Sequence, residues 1–465
     1  MPVYARIMTA KAPFGVTAAM LLLATMSSCG GGGGGGGAPG GGGGGGGPVL
    51  VETSEVGTVY DAQVALGADG NGLAVWIQSD GAPGSTIGSV WANRYTAGAG
   101  WGTAVLIETG TGNAHSPRVA IDGSGNGLVV WDQSVSLIQR IWANRFTAAT
   151  GTWGTAVQIE TGTGGAISPQ LGFDAAGNAL AVWSGSPSTG FNRYTAGSGW
   201  GTAAAIQTGT VSINNPHVAV AANGNAVAVW VQFVGLRGDV WANRYTATSP
   251  TTGSWGTAAQ IETENVNAAI TPRVAVDASG NAQVVWVQTD GTRYNVWSNR
   301  FTAGATNSWG TAALIETDNV GDASAPRIAF DGSGNALAVW QQDGDASAVT
   351  SYDVWANRYT AGSGWGTAAL LETGALRAGG VELAVNAAGA AVAAWYQLDG
   401  SHQSVYSRRY AAGSGWGAVT LAETFDGGNA YLPAVAINDS GAVLLVWEQS
   451  DPVGGVRNDL WADAY

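Results

Sequence analysis

The sequence predicts an all-β fold, an eight-bladed β-propeller built from four-stranded antiparallel blades. Three observations carry that expectation. The 465-residue chain has 21 tryptophans, and each falls at one of three positions in a unit that recurs eight times. The unit itself breaks into four short segments with strand chemistry. The two ends of the chain each hold part of a unit, and together they make one.

The first tryptophan position closes the phrase Gly-Asn-x-Leu-x-Val-Trp, at Trp76, Trp131, Trp183, Trp230, Trp286, Trp340, Trp395 and Trp447, spaced 47 to 56 residues apart. The second opens Trp-Ala-Asn-Arg-Tyr-Thr, at Trp91, Trp142, Trp241, Trp297, Trp355 and Trp461. The third precedes Gly-Thr-Ala or its variants, at Trp101, Trp153, Trp200, Trp255, Trp309, Trp365 and Trp416. Self-similarity at such a period marks a repeat architecture. Repetition in register with apolar strands makes these rings inter-blade packing, not sugar-stacking faces.

Taken in order along residues 273–317, the unit opens with strand a at Arg273, a Val-Ala-Val run and Asp277. A Ser-Gly-Asn turn leads to strand b, from Ala282 to Gln288, which is apolar on both alternating faces as a middle strand packed on two sides would be. Strand c runs from Tyr294 to Thr302, and a Gly-containing turn leads to strand d, from Trp309 to Thr317. Val, Trp, Tyr, Ile and Thr fill these segments, and Gly, Asn, Asp and Ser bound them. Four antiparallel strands in about 50 residues, repeated, describe a propeller blade. The last unit stops at Tyr465 inside its third strand, while residues 49–53 match the end of a strand d such as 314–317. The N-terminal strand is therefore expected to complete the last blade, closing the ring and removing its exposed edges.

The domain organisation expected is a signal peptide over 1–28, a lipidated cysteine with a poly-Gly tether over 29–47, and the propeller over 48–465. Arg6 and Lys11 form a basic region, and residues 15–26 are apolar but too short to span a bilayer. The ending Met26-Ser27-Ser28-Cys29 followed by Gly30 resembles a bacterial lipoprotein signal, with Met26 and Ser28 departing from the preferred Leu and Gly or Ala. That resemblance implies lipid attachment at Cys29. With no acidic residue after Cys29 it further implies sorting to the outer membrane. Cys29 is the only cysteine, which excludes an intramolecular disulfide framework. The glycine run cannot bury apolar surface and behaves as a flexible tether.

Lysine plus arginine number 18 against 32 carboxylates; removing Arg6 and Lys11 leaves 16 against 32, a charge of −16 with no lysine. That balance argues against nucleic acid or anionic lipid as a partner. The lipid is the expected membrane attachment, and a monomer is expected.

The a–b turns (as in Asp122-Gly-Ser-Gly-Asn126) and the c–d turns (as in Thr195-Ala-Gly-Ser-Gly-Trp200) are nearly uniform and fall on one face. The b–c and d–a loops fall on the other face and vary, which is where a repeat protein carries binding. One position at the start of the channel-lining strand a is polar yet different in almost every blade: Gln63, Arg118, Gln170, His217, Arg273, Arg327, Glu382 and Ala434. The first seven are the candidate ligand-binding residues at the channel mouth. The arginines of the Asn-Arg-Tyr phrase, Arg94, Arg145, Arg193, Arg244, Arg300 and Arg358, read as scaffold. The glutamates ending strand d read as turn chemistry and surface charge.

The turn Thr96-Ala-Gly-Ala-Gly-Trp101 resembles the Asp-box hairpin of bacterial sialidases and related propellers, keeping its Thr, a Gly and the Trp but lacking the Asp and one residue of length. The resemblance implies a propeller and, for a hydrolase, an arginine triad with a Tyr–Glu nucleophile pair and an Asp acid. No stretch of this sequence assembles that set. The phrase around Asp122 and Trp131 also resembles the docking motif of quinoprotein dehydrogenase propellers, whose outer-membrane assembly relatives are non-enzymatic scaffolds. His115, His217 and His402 belong to different blades, so no metal site is expected; nor is any cofactor or catalytic residue. The functional expectation is a non-enzymatic, lipid-anchored propeller binding a glycan or protein partner on its variable-loop face. The alternative is a sialidase-like glycoside hydrolase.

Overall fold

The computed structural model describes residues 47–465, apart from 54–56, 81–86, 186–188, 208–212, 236, 250, 264–266, 318–320, 345–351, 375–376, 401, 424–427 and 451–456. The signal peptide, Cys29 and nearly all of the glycine tether lie outside the described residues. So do parts of several b–c loops.

Eight antiparallel sheets follow one another along the chain. Their innermost strands, each called strand a, are Val59–Leu66, Ala114–Ile121, Ala166–Phe173, Ile213–Val220, Ala269–Val276, Ala323–Phe330, Ala378–Val385 and Ala430–Ile437. Each packs against strand a of the next blade, and the eighth packs against the first, so the ring is closed. In blade 8 the outermost strand is Val49–Leu50, paired with Asn458–Ala464 in the register Val49 opposite Ala462 and Leu50 opposite Trp461. The seam is reinforced by Val51 N donating to Leu460 O (2.8 Å) and Leu460 N donating to the Glu52 carboxylate (2.6 Å). Completion of the last blade by the N-terminal strand is thus observed directly.

Strand b is buried along almost its whole length in every blade, as for Gly72–Ser79 and Ala282–Thr289. The first-position tryptophans on it are 0 to 3% exposed. Seven of the indoles donate from Nε1 to a glutamine two residues on, at 3.0 to 3.4 Å, as Trp76 does to Gln78 and Trp447 to Gln449. This explains the recurring Trp-x-Gln: the buried N–H needs an acceptor. Hydrophobic clusters straddle neighbouring blades, one of them joining Val229 and Val240 of blade 4 to Val274 and Trp286 of blade 5.

The Asn-Arg-Tyr phrase is an inter-blade joint. Asn243 Nδ2 donates both to Ile206 O at the end of the preceding blade's strand d (2.8 Å) and to Gly256 O of its own strand d (3.0 Å). Asn93, Asn144, Asn192, Asn299 and Asn357 repeat the arrangement. In blade 7 Arg408 replaces the asparagine and makes both bonds, to Leu371 O and Gly417 O. The following arginine lies over an aromatic ring of the next blade, as Arg94 over Phe146 and Arg244 over Phe301. That ring in turn meets the third-position tryptophan edge-on, as Tyr95 meets Trp101 at 5.5 Å. Five of the six repeated arginines are held by cation–π contact, and Arg358 instead lies 3.9 Å from Asp331; all read as scaffold.

Three features differ from the sequence expectation. Strand d is not continuous in most blades; it is two short pieces, such as Gly100–Trp101 and Val105–Leu106. Its Gly-Thr-Ala link turns out of the ladder, and the Asn side chain takes a carbonyl that a strand partner would have used. Strand a starts about four residues earlier than its first polar residue suggests, with a proline inside it. The glutamates ending strand d, among them Glu52, Glu108, Glu262 and Glu316, are buried and not surface charge. Glu262 and Glu316 accept from the backbone N–H of Val240 and Val296 on strand c. Burial pushes Glu52 and Glu262 up to about 8 and Glu108 and Glu372 up to about 7; beside Glu52, Glu262 and Glu372 the neighbouring Asp459, Asp239 and Asp353 add to the rise.

Candidate functional site at the channel mouth

Every strand a carries a register shift at one place, between Tyr60 and Gln63 in blade 1 and at the matching position in the other seven. The residue in the bulge has left-handed backbone: Asp61, Ser116, Ser168, Asn215, Thr271, Ala325 and Leu432, with φ from 48° to 55°, and Gly380 at 62°. Left-handed backbone at a non-glycine residue is uncommon and costs free energy. Its repetition in eight blades makes it a built feature. In six blades the next residue is proline (Pro117, Pro169, Pro216, Pro272, Pro326, Pro433). A bulge leaves that position without a ladder bond, so a residue lacking N–H fits there. The Ser/Thr/Asn-Pro dipeptide ahead of the polar residue was the sequence signal for this bulge.

Immediately after the bulge come the candidate residues. Each lies on the channel side of strand a, with buried neighbours such as Pro272 and Val274 flanking Arg273. The structure brings five of them within electrostatic reach of one another across the channel. Arg118 of blade 2, Arg273 of blade 5 and Arg327 of blade 6 act on each other and on Glu382, and all three act on His217. Arg327 is held by a two-pronged ion pair to Glu382 of the next blade, Nε to Oε2 at 2.8 Å and Nη2 to Oε1 at 2.6 Å. Burial works against its charge, and Glu382 outweighs that, raising it above the usual guanidinium value.

Among the described residues Arg118 and Arg273 have no such partner; each donates one N–H to the carbonyl of its own preceding proline, at 2.8 and 2.9 Å. Burial and then the other two arginines bring Arg273 down to about 9, and burial lowers Arg118 as well. His217 is held well below the ordinary histidine range by burial and by the three arginines, and is therefore neutral at pH 7. Its Nδ1 accepts from Val274 N at 3.4 Å, which places the ring proton on Nε2. Gln63 donates to Ala62 O, its own neighbour, and Gln170 stands opposite Val182 in the strand register.

One contributor was missed. Asp132 follows Trp131 on strand b, is 3% exposed, and accepts from Ser168 N in the next blade's bulge at 3.1 Å. Burial pushes it up to about 6, with Ser168 N, the Ser116 side chain and Arg118 opposing the rise and Asp61 adding to it. Gln341 has the same place in blade 6 and accepts from Gly380 N at 3.2 Å. The sequence signal was weak: this position is Ile77, Val231 and Val287 in three blades but Ser184, Gln341 and Glu448 in others, so a polar residue there does not single out blade 2. On the opposite face, a concavity lined by Asp331, Arg358 and Tyr410 has room for about one water molecule, too little for an organic ligand.

No family model matches the chain. No curated protein matches it either. Solved structures with distant similarity include a protein of unknown function from Dyadobacter fermentans, at 10% identity and TM-score 0.46, over 90% of this chain and 97% of that one. The intramolecular trans-sialidase from Ruminococcus gnavus is similar at 9% identity and TM-score 0.42, over 90% and 96%. An α-L-arabinofuranosidase of Fusarium graminearum is similar at 11% identity and TM-score 0.40, over 64% and 92%. The chain is a propeller distantly similar in structure to these proteins, and no residue role is taken from them.

Proposed function

We propose that this chain is a binding module that recognises an oxygen-rich, carboxylate-bearing ligand at the channel mouth on its variable-loop face. The ligand is a group on a glycan or a protein partner, and the module is held in the bacterial envelope, at the outer membrane, by lipid on Cys29. The observation that carries the reading is the convergence of Arg118, Arg273 and Arg327 on one channel from a scaffold that otherwise repeats itself. Arginine forks are planar donors suited to carboxylates and sugar hydroxyls. Recognition is favoured over chemistry because nearby carboxylates are already engaged, Glu382 by Arg327 and Asp132 by the bulge N–H of Ser168.

The second reading, a glycoside hydrolase, draws on Asp132, a buried carboxyl near pH 6 beside an arginine. Such an acid needs a second carboxylate or nucleophile across the scissile bond. Glycan and peptide arrays on wild type and on the Arg118→Ala, Arg273→Ala, Arg327→Ala triple variant test the first reading. Binding that vanishes in a folded triple variant supports it. Turnover of fluorogenic glycosides by wild type but not by Asp132→Asn would replace it with the second.

A further inference from the structure

The three channel arginines differ in what already satisfies them, and the differences locate the ligand. Arg327 is saturated by the Glu382 carboxylate. Arg118 has Asp61, Glu382 and Asp132 acting in its favour. Arg273 has only Glu382, which Arg327 already holds, and it is repelled by both other arginines. A guanidinium has five N–H donors, and among the described residues that of Arg273 gives one, to Pro272 O. Like Arg118 it has no ion-pair partner among the described residues, and fewer carboxylates act in its favour than in that of Arg118.

Two further groups beside it have unused hydrogen-bonding capacity. Thr271 sits in the same bulge, two residues before Arg273, with its backbone held at φ 50°. Its Oγ1 is buried and has no partner among the described residues. A buried hydroxyl left unpaired costs about 1–3 kcal/mol and calls for an explanation. On the adjoining strand, His217 presents an Nε2–H, since its Nδ1 is occupied by Val274 N. Blades 4 and 5 thus hold a cation, a neutral N–H and a hydroxyl, each with unused donor capacity.

We propose that the ligand's carboxylate is seated on blades 4 and 5 by Arg273, with His217 and Thr271 as the neutral donors, and that the site takes a singly charged carboxylate. This rests on the channel-mouth reading above and narrows it. A dianion is disfavoured because Glu382 acts on all three arginines and Asp61 and Asp132 act on Arg118, so negative charge is already present beside the cations. The carboxylate can come from a uronic-acid sugar or from a peptide C-terminus, which share this chemistry.

Saturation-transfer NMR on the mature chain tests it with D-glucuronate and acetyl-glycyl-glycine as probes, with D-glucose, the peptide amide and sulfate as controls. Saturable binding by one or both carboxylates and weaker binding by every control is expected, and which probe binds tells sugar from peptide. Arg273→Gln should weaken binding at least about tenfold and Thr271→Val by about three- to tenfold, with Arg118→Gln costing clearly less than Arg273→Gln. Circular dichroism checks that each variant is folded. Equal losses in Arg118→Gln and Arg273→Gln would leave the channel-mouth reading standing and overturn this assignment. So would tighter binding of sulfate than of either carboxylate, or array ligands whose affinity survives both Arg273→Gln and Thr271→Val.

Discussion

Replacing Asn243 with alanine should destabilise the ring out of proportion to the size of the change. The side chain is 3% exposed, and its amide group closes two hydrogen bonds, to Ile206 O of blade 3 and Gly256 O of blade 4. Alanine removes both donors and admits no solvent to replace them. Each buried carbonyl left unpaired costs about 1–3 kcal/mol, so the expected loss is about 2–6 kcal/mol. With an unfolding entropy near 2.1 cal/mol/K per residue over roughly 400 residues, that is a fall in Tm of about 2–7 °C. Scanning calorimetry measures it, with tryptophan fluorescence in guanidinium as a second probe. A surface control such as Thr251→Ala, at an exposed turn, should shift Tm far less. The same logic predicts a gain in blade 8, where Asp463 stands at the asparagine position with a half-buried carboxyl raised above its usual range by desolvation. Asp463→Asn supplies the missing donor toward blade 7 and should raise stability by about 1 kcal/mol. A Tm within half a degree of wild type in Asn243→Ala would refute the clamp reasoning.

Deleting residues 48–53 removes the Val49–Ala462 and Leu50–Trp461 pairing and the Glu52–Leu460 bond. It leaves an open edge on blade 8, so loss of several kcal/mol and self-association are expected by light scattering; a monomer with unchanged Tm would show that closure contributes little. Stability should fall as pH rises from about 4.5 to about 8. Glu52, Glu108, Glu262 and Glu372 keep their protons in the fold up to about 7 or 8, whereas the unfolded chain releases them near 4.3. The native state therefore binds more protons in that window and loses ground with each step upward. Glu108→Gln should flatten the profile, and a Tm that climbs from pH 5 to pH 8 would contradict the assignment. Cys29→Ala should leave the precursor uncleaved and unlabelled by a palmitate analogue; labelling equal to wild type would remove the lipid-anchor reading.

The sequence by itself determined the architecture, because a propeller is periodic and its constraints are local. Tryptophans 47 to 56 residues apart, Gly-Asn turns and double-faced strands b state the blade, and the divided unit at the two ends states the closure. The polar position on strand a was legible for the same reason, since variation stands out against uniform neighbours. Only the tertiary structure decided which of those residues act together. Arg118, Arg273 and Arg327 are separated by 155 and 54 positions in sequence, and only ring closure turns three equivalent register positions into one charged channel. Pairing is likewise a matter of space: nothing local says that Glu382 pairs with Arg327 while Arg273, among the described residues, has only the Pro272 carbonyl. Burial of the strand d glutamates was hidden too, because a residue's solvent exposure depends on the neighbouring blade, and the chain states that neighbour only by folding.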